Sequence, residues 1–255
     1  MSDTVETSVE GAVLRIELNR PDVRNAIDLP TALAIEAAVD RLEEDDALRV
    51  AVLHGRGANF SAGMDLRAFG TTGERPVTDR RGAMGMTTLP PAKPVIAVVH
   101  GITVGGGFEL VLACDLVVME EGAELGLPEV TRGLAAGGGG AIRLPQRVPH
   151  HVAMDLLLTG RRMSAAEAER WGLASRVVPP GEGLATALEL AAVIAANAPL
   201  GTRASKQVGT QSRSMSYDEA IAAQEPLMQV IRTSADAREG ARAFLEKRPP
   251  VWTGR

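Results

Sequence analysis

The chain has 255 residues, enough for one large domain with a sizeable core. Its 27 basic residues against 32 acidic ones give a net charge of −5. That excludes a generally basic nucleic-acid binder, and 3% of aromatic residues is too few for a base-stacking surface. A hydrophobic share of 45% suits an ordinary globular protein. No apolar run reaches the roughly 18 residues of a membrane span, so none is expected. The first eleven residues are acidic and polar, unlike a secretory signal, and Cys114 is the single cysteine, which together predict a reducing cytoplasm.

In chain order, residues 12–18 alternate apolar and charged side chains, the pattern of a half-buried strand. Asn19-Arg20-Pro21-Asp22 ends it with turn chemistry. Residues 29–42 show one apolar face at helical spacing, with Pro30 in the first turn, and predict a helix. Residues 49–54 read as a short buried strand and 55–63 as a glycine-spaced loop. Residues 66–89 are polar, without a firm period, and read as a mobile loop with a short helix. Further buried strands are predicted at 94–100 and 115–119, around a helix at 108–113, with a short extended segment at 124–127. This alternation predicts the α/β class. From residue 151 helical patterns dominate, at 152–158, 165–171, 184–197, 204–211, 217–231 and 235–246.

Three glycine-bearing segments are candidates for chemistry. Phe60-Ser61-Ala62-Gly63-Met64-Asp65-Leu66 follows a buried strand, and its small residues let backbone N–H groups approach an anion. An ordinary turn capped by Asp65 explains the same pattern. Gly105-Gly106-Gly107-Phe108-Glu109 opens a helix, where free N–H groups and the helix dipole favour negative charge, but it lacks the dinucleotide spacing. Glu109 there is either a capping carboxylate or a functional acid. Pro128-Glu129 admits the same two readings, the acid complementing a helix dipole or serving chemistry. Four glycines follow at 137–140; in a helix interior each would cost about 1 kcal/mol relative to alanine, so bare backbone is needed there for packing or for a ligand. His54, His100, His150 and His151 show no metal spacing, and no metal is expected. Cys114 lies in an apolar run and is expected to be buried. Ser61 is outside a G-x-S-x-G elbow, so a hydrolase triad has no anchor.

Taken in order, these segments resemble the crotonase family, also called the enoyl-CoA hydratase/isomerase family. The resemblance runs from Asn19-Arg20-Pro21 and Arg24-Asn25-Ala26 through the 60–66 segment, Lys93-Pro94, the triglycine with Glu109, Ala113-Cys114-Asp115 and Leu127-Pro128-Glu129. It continues through Leu158-Thr159-Gly160 and Gly172-Leu173 to Phe244-Leu245-Glu246-Lys247-Arg248. It implies a spiral of repeated ββα units over residues 1–196 that holds the active site. A helical region over 197–255 would then build trimers, often paired into hexamers. The implied ligand is an acyl-CoA, with coenzyme A as part of the substrate and no metal or redox cofactor; no nucleic acid or membrane is implied as a partner. The implied reaction adds water to a trans-2-enoyl-CoA to give a 3-hydroxyacyl-CoA.

By motif position, the N–H groups of Met64 and Gly106 would hold the thioester oxygen. Glu109 and Glu129 would hold the water, steadied by the N–H of Gly137. Backbone near Ala26 and Ala62 would meet the adenine, with Arg24 and Lys247, the latter from a neighbouring subunit, as basic partners for the phosphates. The chain departs from familiar fatty-acid hydratases at Ala136, where they carry proline, and at Met64, where they carry alanine. The alternatives are isomerisation of a double bond by one glutamate, and acyl-CoA binding without catalysis.

Overall fold

The computed structural model describes residues 4–255. Val5–Glu10 (β1) and Val13–Leu18 (β2) form an antiparallel pair. Leu29–Glu44 (α1) follows, started by Asp28, whose side chain accepts from the Thr31 N–H at 2.9 Å. Its buried residues, Thr31, Ala32, Ile35, Ala38, Val39 and Leu42, recur every three or four positions and form one face. Next come Val50–Gly55 (β3), Leu66–Thr72 (α2) and a small hairpin of Val77–Thr78 (β4) with Gly82–Ala83 (β5). Val95–Val99 (β6), Ile102–Val104 (β7), Gly106–Ala113 (α3), Leu116–Glu120 (β8) and Glu124–Gly126 (β9) lead into a 3-10 turn, Pro128–Arg132. After it come Gly140–Arg143 (α4), His150–Thr159 (α5), Arg162–Ser164 (β10), Ala165–Arg170 (α6) and Arg176–Val178 (β11). Four longer helices complete the chain: Gly183–Ala195 (α7), Pro199–Gln211 (α8), Tyr217–Thr233 (α9) and Ala235–Glu246 (α10).

The main sheet has the order β1-β2-β3-β6-β8-β11, parallel from β2 onward. A second sheet, β10-β9-β7, takes the chain as it leaves β6 and β8. β6 passes to β7 and then α3, and β8 passes to β9 and then the 3-10 turn. Single bridges between Ile27 and Met64 and between Ser61 and Thr103 repeat the step in earlier turns. These are ββα units wound into a spiral, as the resemblance implies.

Burial accounts for the strand patterns. β3 and β6 are buried at every residue because helices or the second layer cover both faces, so they read as apolar runs. On one side of the sheet Leu53, Ala97 and Val117 pack with Ile35, Phe60 and Phe108, and on the other Val52, Ile96 and Val118 meet Ala187 and Ala191 of α7. Each fully buried large side chain contributes roughly 1.5–3 kcal/mol. β1 is an edge strand with five of its six residues exposed, so its sequence carries no apolar pattern.

The segment at 66–89, expected to be loop with a short helix, contains the hairpin β4–β5 as well as α2. Past α7, α9 buries none of its side chains. The C-terminal segment folds back: the Trp252 indole donates to the Ala196 carbonyl at 2.7 Å, and the buried Asp236 carboxylate accepts from the N–H groups of Thr253 and Gly254. No single described helix is long and apolar enough to cross a membrane.

Candidate active site

Two loops meet edge to edge. The Ala62 N–H donates to the Arg24 carbonyl, the Ile27 N–H to that of Gly63, and the Asp65 N–H to that of Ile27, all within 2.8–2.9 Å. Arg20 clasps both loops, donating to the Ala26 carbonyl and to the Asp65 carboxylate at 3.1 Å. Asp65 in turn caps α2 through the N–H groups of Arg67 and Ala68. Burial alone would raise the Asp65 carboxyl, but the Ala68 N–H and the Arg20 charge hold it below the usual carboxylate range.

Because Gly63 C=O and Asp65 N–H both face Ile27, the Met64 N–H between them faces the other way, as alternation along a parallel bridge requires. Gly63 has φ of +80°, and a Cβ on it would sit 2.6 Å from the Val104 carbonyl oxygen and 2.7 Å from the Gly106 nitrogen. Only glycine brings the two loops that close. Gly105 precedes α3 at φ +57° and its N–H is held by the Gly126 carbonyl. Gly106 is then the first helical residue, whose N–H the helix does not use. Met64 and Gly106 thus lie on touching loops and both line one cleft of about 880 Å³.

Glu109 does not cap its own helix. Its side chain, 3% exposed, leaves α3 for the glycine run, where Oε1 accepts from the Gly140 N–H at 2.9 Å. A Cβ on Gly138 would lie 2.6 Å from Oε2, so the bare backbone there is a fit to this carboxylate. Burial pushes the Glu109 carboxyl above its ordinary value, against the N–H groups of Gly140 and Gly138 and the charge of Arg143.

Glu129 sits in the 3-10 turn behind Pro128 and lines the cleft. Its Oε2 is buried and without a hydrogen-bond partner in the structure. An unpaired buried acceptor costs about 1–3 kcal/mol, a cost that a bound water or substrate hydroxyl would relieve. Burial raises the Glu129 carboxyl too, and the nearby Glu109 raises it further, against its own backbone N–H and Arg132.

Ala83, at the end of β5, stands against Gly138, and the Met84 sulfur would be 2.8 Å from a Cβ on Gly106. The hairpin therefore runs from the Gly106 donor to the loop that holds Glu109. Met84 is 6% exposed and has φ of +54°, a conformation costing a non-glycine residue about 1–2 kcal/mol.

Of the residues expected from sequence, Met64, Gly106, Glu129, Arg24, Ala26 and Ala62 line the cleft, and Glu109 does not. Gly137 does not reach Glu109: it is exposed, and a Cβ on it would meet only the Ala135 carbonyl, at 3.7 Å. Gly138 and Gly140, not Gly137, bond the Glu109 carboxylate. Lys247 is exposed at the end of α10 and does not line the cleft of its own chain. Sequence reasoning missed Arg20 as a clasp, Met84 and Arg143; only Arg20, inside Asn19-Arg20-Pro21, carried a signal that could have found it. Among the described residues no group of three or more His, Cys, Asp or Glu is placed to hold a metal. The Cys114 thiol is fully buried and pushed up to about 12, which removes it as a nucleophile.

The chain matches the profile of the enoyl-CoA hydratase/isomerase family over residues 8–255, and it belongs to that family. It is 41% identical, over all of both chains, to a carnitinyl-CoA dehydratase of Proteus mirabilis. It superposes on an enoyl-CoA hydratase from Mycobacterium tuberculosis with a TM-score of 0.97 at 44% identity, covering both chains entirely. A probable enoyl-CoA hydratase/isomerase from Mycobacterium abscessus gives 0.95 at 48% identity, again over both full chains. The spiral of ββα units is the crotonase fold.

Proposed function

We propose that the protein is an acyl-CoA hydro-lyase, adding water across the double bond of a trans-2-enoyl-CoA to give a 3-hydroxyacyl-CoA, or removing it in reverse. The observation that carries this reading is the buried, partnerless Oε2 of Glu129 in a cleft that also presents the Met64 and Gly106 donors, with Glu109 beside it. The thioester oxygen accepts from those two N–H groups. Water attacks the β-carbon, the π electrons move onto the thioester oxygen as an enolate, and one glutamate takes the water's proton. The enolate collapses as the α-carbon is protonated through the other acid. Each fixed donor contributes about 3–4 kcal/mol to the charged intermediate. Carboxyls raised toward neutral pH suit both giving and taking a proton.

Hydration and dehydration share this transition state, which accommodates relatives named for either direction. Coenzyme A enters as part of the substrate, its adenine near Ala26 and Ala62, with Arg24 and a neighbouring subunit's Lys247 toward the phosphates. The protein works as a cytoplasmic trimer or hexamer without metal or redox cofactor. Loss of conjugated enoyl-thioester absorbance, measured with a short and with a bulky trans-2-enoyl-CoA, tests the reading. Turnover of either supports it, and the better ester bounds the acyl group. No loss with either ester, together with migration of a 3-enoyl double bond, would make the protein an isomerase. Tight binding with no turnover of any enoyl ester would make it a carrier.

A further inference from the structure

Arg143, at the end of α4, is a cation without a carboxylate in ion-pair contact among the described residues. Its guanidinium is half-buried and donates to two carbonyls on different segments. Nη2 bonds the Thr87 carbonyl, just beyond the β4–β5 hairpin, and Nη1 reaches the Gly138 carbonyl at 3.5 Å. It also presses on Gly139, which has φ of +102° and no room for a Cβ beside Nη1. Gly138 and Gly140 are the residues whose N–H groups meet Glu109. One side chain therefore holds the loop from one face while the loop holds the carboxylate from the other, and it ties that loop to the hairpin carrying Met84.

We propose that Arg143 is a positioning residue for Glu109: it fixes the Gly138–Gly140 backbone against the carboxylate and supplies the positive charge that the carboxylate faces. The proposal rests on the hydratase reading, in which Glu109 exchanges a proton with the reacting water or substrate. The charged groups acting on Glu109 and its partner acid are few. Arg143 from α4 faces Glu109, while Glu109 and Arg132 act on Glu129 in opposite directions. Ala83 of the hairpin adds no charge. Removing Arg143 removes the cation on the Glu109 side, so the ionised form of Glu109 becomes less favourable and its titration moves to higher pH.

The test uses the full-length protein with Arg143→Gln and Arg143→Lys, with folding checked by thermal melting. The readouts are kcat and KM for a trans-2-enoyl-CoA and an NMR titration of the Glu109 carboxyl in protein labelled at glutamate, assigned by its loss in Glu109→Gln. For Arg143→Gln, kcat is expected to fall about 10²-fold, the scale set by ångström-level misplacement of a reacting group, with KM little changed. The Glu109 midpoint should rise. Arg143→Lys keeps the charge but not the two-carbonyl span, so its midpoint should stay near that of the unmodified protein while kcat still falls. An unshifted Glu109 midpoint in Arg143→Gln overturns the proposal, whether or not kcat changes, because a merely structural arginine would leave it in place. If Arg143→Gln does not fold, unchanged kcat in Arg143→Lys overturns it. The titration needs no turnover, so failure of the unmodified protein to hydrate any enoyl ester would sink the hydratase reading without touching the Arg143–Glu109 link.

Discussion

Glu109 and Glu129 are held where a carboxylate is poorly solvated, and this has a consequence for stability as well as for proton transfer. Burial raises both carboxyls above their ordinary value of 4.5 in the folded chain. Between that value and the raised one, the folded chain binds more protons than the unfolded chain. Stability therefore falls as pH rises through this window, and the loss is complete above it. Replacing either acid by glutamine removes the penalty. Glu129→Gln, whose Oε2 has no partner to lose, should melt higher than the unmodified protein at neutral pH, by about 2–4 °C for each kcal/mol recovered. The difference should vanish well below pH 4.5, where the carboxyl is protonated in both the folded and the unfolded chain. A melting difference that is independent of pH would show that ionisation is not its cause. That Met64, Gly106 and Glu129 meet at one cleft was legible in the sequence because each sits in a short segment of distinctive residue order. The contact of Gly138 and Gly140 with the Glu109 carboxylate was not legible, because four identical residues carry no register. Arg143 showed no pattern at all, since its two acceptors are backbone carbonyls far apart in the chain.

Among the elements, α1 and β3 were the easiest to read. One has a single apolar face behind a capping aspartate, and the other is buried on both sides and apolar throughout. β1 escaped because an exposed edge strand selects for hydrogen bonding and not for apolar side chains. β4 and β5 escaped because two residues each are too few for a period. β10 and β11, at three residues each, escaped for the same reason. The junction of the Met64 loop with α3 depends on one bare position. Gly63→Ala should strain the backbone by about 1–2 kcal/mol, because φ is +80° there, and its Cβ would force the Val104 and Gly106 backbone aside. If the Gly106 N–H holds the thioester oxygen as proposed, displacing it should lower kcat about 10²–10³-fold. A Gly63→Ala protein with full turnover would mean that the two loops do not need their observed contact.

At the scale of the whole molecule, the spiral buries its core, while α9 and the end of α10 leave apolar side chains exposed. Phe244, Leu245 and Tyr217 are each about four-fifths exposed, and α9 has no buried residue. Burying one such side chain contributes roughly 1.5–3 kcal/mol, which favours association through this end of the chain. Light scattering is expected to give the mass of three or six chains, and Leu245→Asp to lower it. Smaller species should also bind CoA esters more weakly, since Lys247 then has no neighbour's cleft to enter. A fully active monomer would remove both the assembly and that role of Lys247.

The measurement that bears most directly on this account is the hydration rate of one trans-2-enoyl-CoA by the unmodified protein, Glu109→Gln and Glu129→Gln, each shown to be folded and to bind the ester. Losses of about 10²–10⁴-fold in both variants, with binding retained, are expected of two acids that move protons in the transition state. Near-unmodified hydration in either variant would contradict the two-acid mechanism and leave its partner to act alone.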